Sequence, residues 1–84
     1  MKEGQKILAK RIVGLCKEKG LSYYNLSYKA GIPLSTLMHL VNGTVKNPGI
    51  YTIARLCGGL KITLAEFFDT KEFKEFVEFT ESEE

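Results

Sequence analysis

Two short helix-length segments joined across only three residues, Gly31-Ile32-Pro33, are the feature that most constrains this chain. The first opens on Ser22, a favourable N-cap residue, and places Leu26 and Ala30 one turn apart on a single face. Gly31 ends it, since glycine adopts the left-handed stop conformation without strain. The second runs from Leu34 to Val41, with Leu37, Leu40 and Val41 on one face and Leu34, Ser35, Met38 and His39 on the other. Pro33 suits the start of a helix and keeps Ile32 extended. A link this short forces the helices to cross steeply, a supersecondary unit that DNA-reading domains use and that many helical bundles without nucleic acid contain as well.

The remaining chain reads as helix as well. Ile7, Leu8, Ile12, Leu15 and Cys16 recur at the 3.6-residue period up to Lys19, with Gly20 as the stop. Gly14 inside this helix either admits a close neighbour or is tolerated at a cost of roughly 1 kcal/mol. After the polar stretch Thr44-Val45-Lys46-Asn47-Pro48-Gly49, a fourth stripe follows: Ile50, Ile53, Ala54, Cys57 and Leu60. Gly58 and Gly59 near its end leave two readings open: Lys61 adopts a strained left-handed conformation, or the terminus falls earlier. Thr63 and Glu66 stand at capping-box spacing ahead of Phe67 and Phe68, which predicts a short fifth helix. No segment alternates as a strand would, so the expected fold class is all-α: a compact five-helix bundle with a sixth C-terminal helix as an extension.

At 84 residues there is room for one core. The expected division is a body over residues 1–69 and an acidic, Phe-rich tail over 70–84. In the tail, Phe73, Phe76, Val77 and Thr80 form a helical stripe beside Phe79, open to three readings: a helix packed on the body, a helix that meets a partner or second copy, or a frayed end. Glu81 to Glu84 is expected to be disordered.

Charge is divided along the same line. Residues 1–61 carry ten basic and two acidic side chains, whereas residues 62–84 carry two basic and eight acidic ones. The body suits a polyanion and the tail is repelled by one, although solvated charge and protein contacts account for the same pattern. Cys16 and Cys57 sit at helical core positions, so both are expected buried and reduced. There is no apolar run of about 20 residues to span a bilayer and no signal-peptide pattern after Met1, which gives an expected cytoplasmic location.

Chemistry that would mark an enzyme is missing from the sequence. It has no phosphate-cradling glycine loop, no paired histidines for a metal and no nucleophile elbow. Glu72, Glu75 and Glu78 read as a solvated face rather than an acid/base pair. No catalytic residue, cofactor or metal is expected. Tyr23, Tyr24 and Tyr28 suggest a base-stacking platform, but no continuous basic groove accompanies them, and Tyr24 or Tyr28 is expected to pack between helices.

Residues 11–68 resemble the Cro/repressor-type, lambda-repressor-like helix-turn-helix family of bacterial and phage regulators. The resemblance rests on Arg11-Ile12, Leu15 and Lys17-Glu18-Lys19-Gly20-Leu21-Ser22, then Leu26, Gly31-Ile32, Ser35-Thr36-Leu37 and Leu40. It continues through Asn42-Gly43, Asn47-Pro48, Ile50, Leu60, Ile62-Thr63-Leu64 and Glu66-Phe67-Phe68 without an insertion. It implies that Leu34, Ser35, Thr36, Met38 and His39 read base edges. It further implies that Ser22, Tyr23, Thr44, Lys46 and Asn47 contact the DNA backbone.

Departures from the family pattern are as informative. Leu34 and Met38 stand where polar readers are common, so the bidentate contacts worth about 1–3 kcal/mol each are absent and two readings stay open: Leu34 and Met38 press on thymine methyls while Ser35 and His39 make single hydrogen bonds, or this face packs against protein and reads no base. Cys16 and Val41 replace an Arg–Glu pair, and an exchange of both members for apolar groups leaves such a scaffold intact. Pro33 replaces a Ser or Thr cap worth about 1 kcal/mol.

The function this implies is a sequence-specific double-stranded DNA-binding transcriptional regulator, a dimeric repressor on half-sites about 34 Å apart. The alternative keeps the fold without the reading: a protein-interaction module, antitoxin-like or inhibitory, that engages its partner through the outer face of the third helix or the tail.

Overall fold

Burial begins one turn into the chain. A computed structural model describes residues 3–77, and the first helix, α1 (Glu3–Lys19), starts ahead of the apolar stripe with Glu3 in the first turn, where a carboxylate complements the helix dipole. Ile12, Leu15 and Cys16 are buried on one face, Lys17 and Lys19 lie in the last turn, and Gly20 closes the helix at φ 65°. Then come α2 (Tyr23–Ala30), α3 (Leu34–Val41), α4 (Ile50–Leu60), α5 (Leu64–Phe67) and α6 (Lys71–Glu75); no strand occurs among the described residues.

The core gathers one stripe from each of the first five helices. Ile12, Leu26, Leu37, Leu56 and Phe67 are fully enclosed, and Leu15, Leu40, Ile53 and Leu60 complete the cluster. Burial of each such side chain contributes roughly 1.5–3 kcal/mol. Cys16 and Cys57 belong to this cluster as free thiols. Burial pushes both up from the ordinary thiol value, with Arg11 drawing Cys57 partly back. Val41 packs against the cluster as well, so the positions of the missing Arg–Glu pair are filled by apolar contact.

Glycine roles divide sharply. A Cβ built on Gly14 meets nothing within 4 Å, so that glycine serves no close approach. One on Gly59 lies 3.0 Å from the Ala30 backbone nitrogen and 3.1 Å from Leu26 Cδ1. Gly59 is thus what lets α4 lie against α2. The glycine pair does not end α4 early: the helix continues to Leu60, and Lys61 takes the left-handed cap at φ 60° with its N–H facing the Cys57 and Gly58 carbonyls.

Arg11 joins the two ends of the body. Its Nε donates to the Phe67 carbonyl at 2.7 Å and its Nη2 to the Glu66 carbonyl at 2.8 Å, where α5 leaves carbonyls without helical partners. At the other end of α5, Thr63 Oγ1 accepts from the Glu66 N–H and Glu66 Oε1 accepts from the Thr63 N–H, completing the capping box.

The tail departs from its expected stripe. Thr70 caps α6, Phe73 stacks edge-on against Phe68 at 4.8 Å between ring centroids, and Glu72 pairs with Lys10 at 3.5 Å. The helix then stops, because Phe76 turns extended (φ −81°, ψ 115°) and lays its ring over Gly4 of α1. The helix therefore spans five residues rather than the longer stripe read from the sequence. Phe79, Thr80 and the acidic end from Glu81 to Glu84 lie outside the described residues. Where the tail and the start of α1 meet the α3–α4 loop and α4, a cleft of about 470 Å³ opens, lined by Leu8, Val45, Pro48, Ile53, Phe73 and Phe76 among others.

Three substitutions test these assignments by thermal unfolding. Gly14→Ala is expected to stabilise by about 0.5–1 kcal/mol, since open space surrounds the new methyl group. Lys61→Gly is expected to gain about 1 kcal/mol by relieving the left-handed backbone. Gly59→Ala is expected to lower the melting temperature, because the Ala30 backbone blocks the added carbon. A stabilised Gly59→Ala protein would contradict the described α2–α4 packing.

Candidate nucleic-acid interface

The link between α2 and α3 is built from backbone geometry. Gly31 sits at φ 69°, and its N–H and that of Ile32 donate to the Tyr28 and Ser27 carbonyls at 3.2 and 3.1 Å, closing α2. Ile32 packs on the core, and Pro33 enters α3 in the extended region with no side-chain cap. Arg55 of α4 reaches across to donate from Nη1 to the Gly31 carbonyl at 3.4 Å. The turn is thereby anchored by one apolar and one polar contact.

Rotation of α3 about its axis follows from its buried side. Leu37 and Leu40 are 0% and 2% exposed, which turns Leu34, Ser35 and His39 outward into solvent and leaves Met38 and Thr36 half-buried at the margins. Eight residues at about 1.5 Å each give a rod about 12 Å long, comparable to the width of the major groove. No described part of the tail covers this face: Leu34, Ser35 and His39 stay exposed, while Glu72 pairs with Lys10 of α1, Phe73 stacks on Phe68 just past α5, and Phe76 lies over Gly4 of α1.

Around the rod stand the residues expected to meet a phosphate backbone. Ser22 caps α2, its Oγ accepting from the Asn25 N–H at 3.0 Å, and the exposed helix start leaves further N–H groups toward solvent. The Tyr23 ring is half-buried against the core. Lys46 and Asn47 are exposed on the loop after α3. Thr44 behaves differently: its N–H and hydroxyl both donate to the His39 carbonyl, at 3.0 and 3.1 Å, and its Oγ1 lies 3.3 Å from His39 Nδ1. Thr44 is exposed, and these contacts tie it to His39.

Tyr24 and Tyr28 do not pack between helices as expected. They are 66% and 80% exposed. At about 100° per residue, positions two away from Leu26 and Ala30 fall on the opposite side of α2, so helical geometry itself directs them outward. Arg55 was missed by sequence reading as a neighbour of the turn. Its one signal is that it falls off the buried Ile53–Leu56–Leu60 stripe of α4, which marks it as outward but not as adjacent to Gly31. Among the described residues no group of His, Cys, Asp and Glu is placed to hold a metal, and no helix is long and apolar enough to cross a membrane.

The Cro/C1-type HTH DNA-binding domain family matches residues 11–72, spanning every element of this unit. The chain belongs to that family. A similar solved structure is the crystal structure of the prophage Lp1 protein 11, 29% identical in sequence with a TM-score of 0.78, covering 90% of this chain and 100% of that one. No curated protein matches the chain. In this Cro/C1-type protein the all-helical fold, the helix-turn-helix and the bounds of α2 and α3 agree with the sequence reading.

If the outer face of α3 is free in the isolated protein, Leu34→Ser and Ser35→Ala should change unfolding free energy by no more than about 0.5 kcal/mol. Leu37→Ala should cost about 2–5 kcal/mol. Denaturant unfolding of the three variants distinguishes these positions, and a Leu34→Ser loss as large as that of Leu37→Ala would contradict the described rotation of α3.

Proposed function

We propose that this protein is a sequence-specific, double-stranded DNA-binding transcriptional regulator that acts in the cytoplasm as a dimeric repressor. The observation that carries the reading is the outward face of α3, an exposed rod beside a loop bearing Lys46 and Asn47. α3 lies in the major groove, where Leu34 and Met38 press on thymine methyl groups and Ser35, Thr36 and His39 address polar base edges. Lys46, Asn47, Tyr23 and the N-terminal end of α2 at Ser22 hold the phosphate backbone. The Arg55 guanidinium adds positive potential beside the turn. Residues 1–69 form the DNA-binding unit in this account, with 70–84 as an appended acidic segment.

One domain of this size makes few base contacts, so a homodimer reading two half-sites supplies the missing discrimination. The alternative, a protein-interaction module with the same fold, is favoured by the 41% exposure of Leu34, an apolar side chain at the front of α3. It predicts a stable hetero-complex that covers α3 and excludes DNA.

Selection from a random duplex library at two salt concentrations tests the reading. A palindromic site is expected, with affinity falling steeply as salt rises. Lys46→Gln should weaken all duplexes alike and reduce the salt slope by about one. Ser35→Ala should change the preferred sequence instead. Recovery of no common sequence, or variants that leave DNA affinity and preference untouched, would contradict the assignment.

A further inference from the structure

We infer that Thr44 sets the hydrogen-bonding polarity of His39, so that His39 presents an acceptor to DNA and selects the exocyclic amino group of adenine or cytosine. The base assignment rests on the functional reading above; the polarity of the ring does not. The Thr44 hydroxyl has a single hydrogen, and it donates to the His39 carbonyl at 3.1 Å, an oxygen that can only accept. The same Oγ1 lies 3.3 Å from His39 Nδ1. With its hydrogen already committed, Oγ1 can only accept from that nitrogen, so the proton of the neutral ring resides on Nδ1. The Thr44 N–H donates to the same carbonyl at 3.0 Å, which holds the residue in register for both contacts.

This is the reverse of the tautomer that a solvated histidine side chain favours in water, so the contact imposes a choice on the ring. Nε2 is then left with its lone pair, at the far end of an exposed side chain on the solvent side of α3. In the major groove the hydrogen-bond donors are the N6 amino group of adenine and the N4 amino group of cytosine, whereas guanine N7 and O6 and thymine O4 accept. An acceptor at Nε2 therefore fits adenine or cytosine and opposes guanine and thymine. Thr44 is a positioning residue in this scheme, and His39 is the residue that determines specificity.

The chain has one histidine, so long-range proton–nitrogen NMR of the imidazole-labelled full-length protein reads its tautomer without ambiguity. The measurement is made without DNA at mildly alkaline pH, alongside duplex selection with the same proteins. Wild type is expected to show the Nδ1–H form, and a preference of about 3- to 10-fold for adenine or cytosine at one base position, the scale of one hydrogen bond. Thr44→Val, which keeps the shape and removes the hydroxyl, should move the ring to the Nε2–H form and shift that position toward guanine or thymine. Thr44→Ser should restore both, and His39→Ala should abolish the preference there alone. An Nε2–H ring in the wild-type protein, a guanine preference, or a Thr44→Val protein unchanged in both readouts would overturn the inference. Failure of every variant and the wild type to bind duplex DNA contradicts the functional reading and the base assignment with it, while the NMR result independently decides the Thr44–His39 polarity.

Discussion

Burial of Leu37 and Leu40 against the body fixes how α3 is turned, and most of the molecule serves that contact. The short connection from Gly31 to Pro33 leaves α3 no freedom to slide, and Gly59 allows α4 close enough to α2 to support the pair from behind. If α3 were rotated by half a turn, its apolar side would face water and its outer residues would face the core. At roughly 1.5–3 kcal/mol for each large apolar side chain, that penalty is a large part of the stability of a domain this small. The outward face of α3 is therefore specified by what lies beneath it.

The other end of the body is closed by a different kind of interaction. Arg11 supplies two donors to the last carbonyls of α5, and its guanidinium lies 5.9 Å from the centre of the Phe67 ring. Phe67 in turn meets Phe68 and Phe73, so a single side chain of α1 couples the start of the chain to the aromatic cluster where the tail begins. Phe76 on Gly4 extends the same closure to the first turn of α1. The described part of the tail, residues 70–77, is thereby held against α1 and the aromatic cluster at the end of α5, and it leaves the outer face of α3 open.

Much of this was legible in the sequence because the relevant signals are local. Helical periodicity, the Ser22 cap and the Gly31 stop define α2 and α3 with their bounds, and the Thr63 capping box marks where α5 begins. Tyr24 and Tyr28 carry the apolar rings that favour packing, but the Leu26–Ala30 stripe places both on the outer side of α2, and angular position prevails over residue type. The ambiguity at Lys61 was of another kind. Propensity favours an early stop at Gly58-Gly59, but Leu60 is drawn into the core and the helix continues far enough to bury it, leaving a lysine in the left-handed cap. Tertiary contacts with no sequence signature could not be read in advance: Arg55 on Gly31, Phe76 on Gly4, and the Thr44 hydroxyl shared between the carbonyl and ring of His39. The last of these matters most for the outer face of α3, because it ties Thr44 of the loop to His39.

Whether the protein meets a duplex through the outer face of α3 and the loop behind it is read by titrating isotope-labelled protein with double-stranded DNA and following each backbone amide. The largest shifts are expected on residues 34–39, on Lys46 and Asn47, and at the start of α2 near Ser22. Signals from α6 and the aromatic cluster around Phe68 should remain in place. Shifts concentrated on the tail and the first turn of α1, with α3 unmoved, would contradict that placement of the duplex.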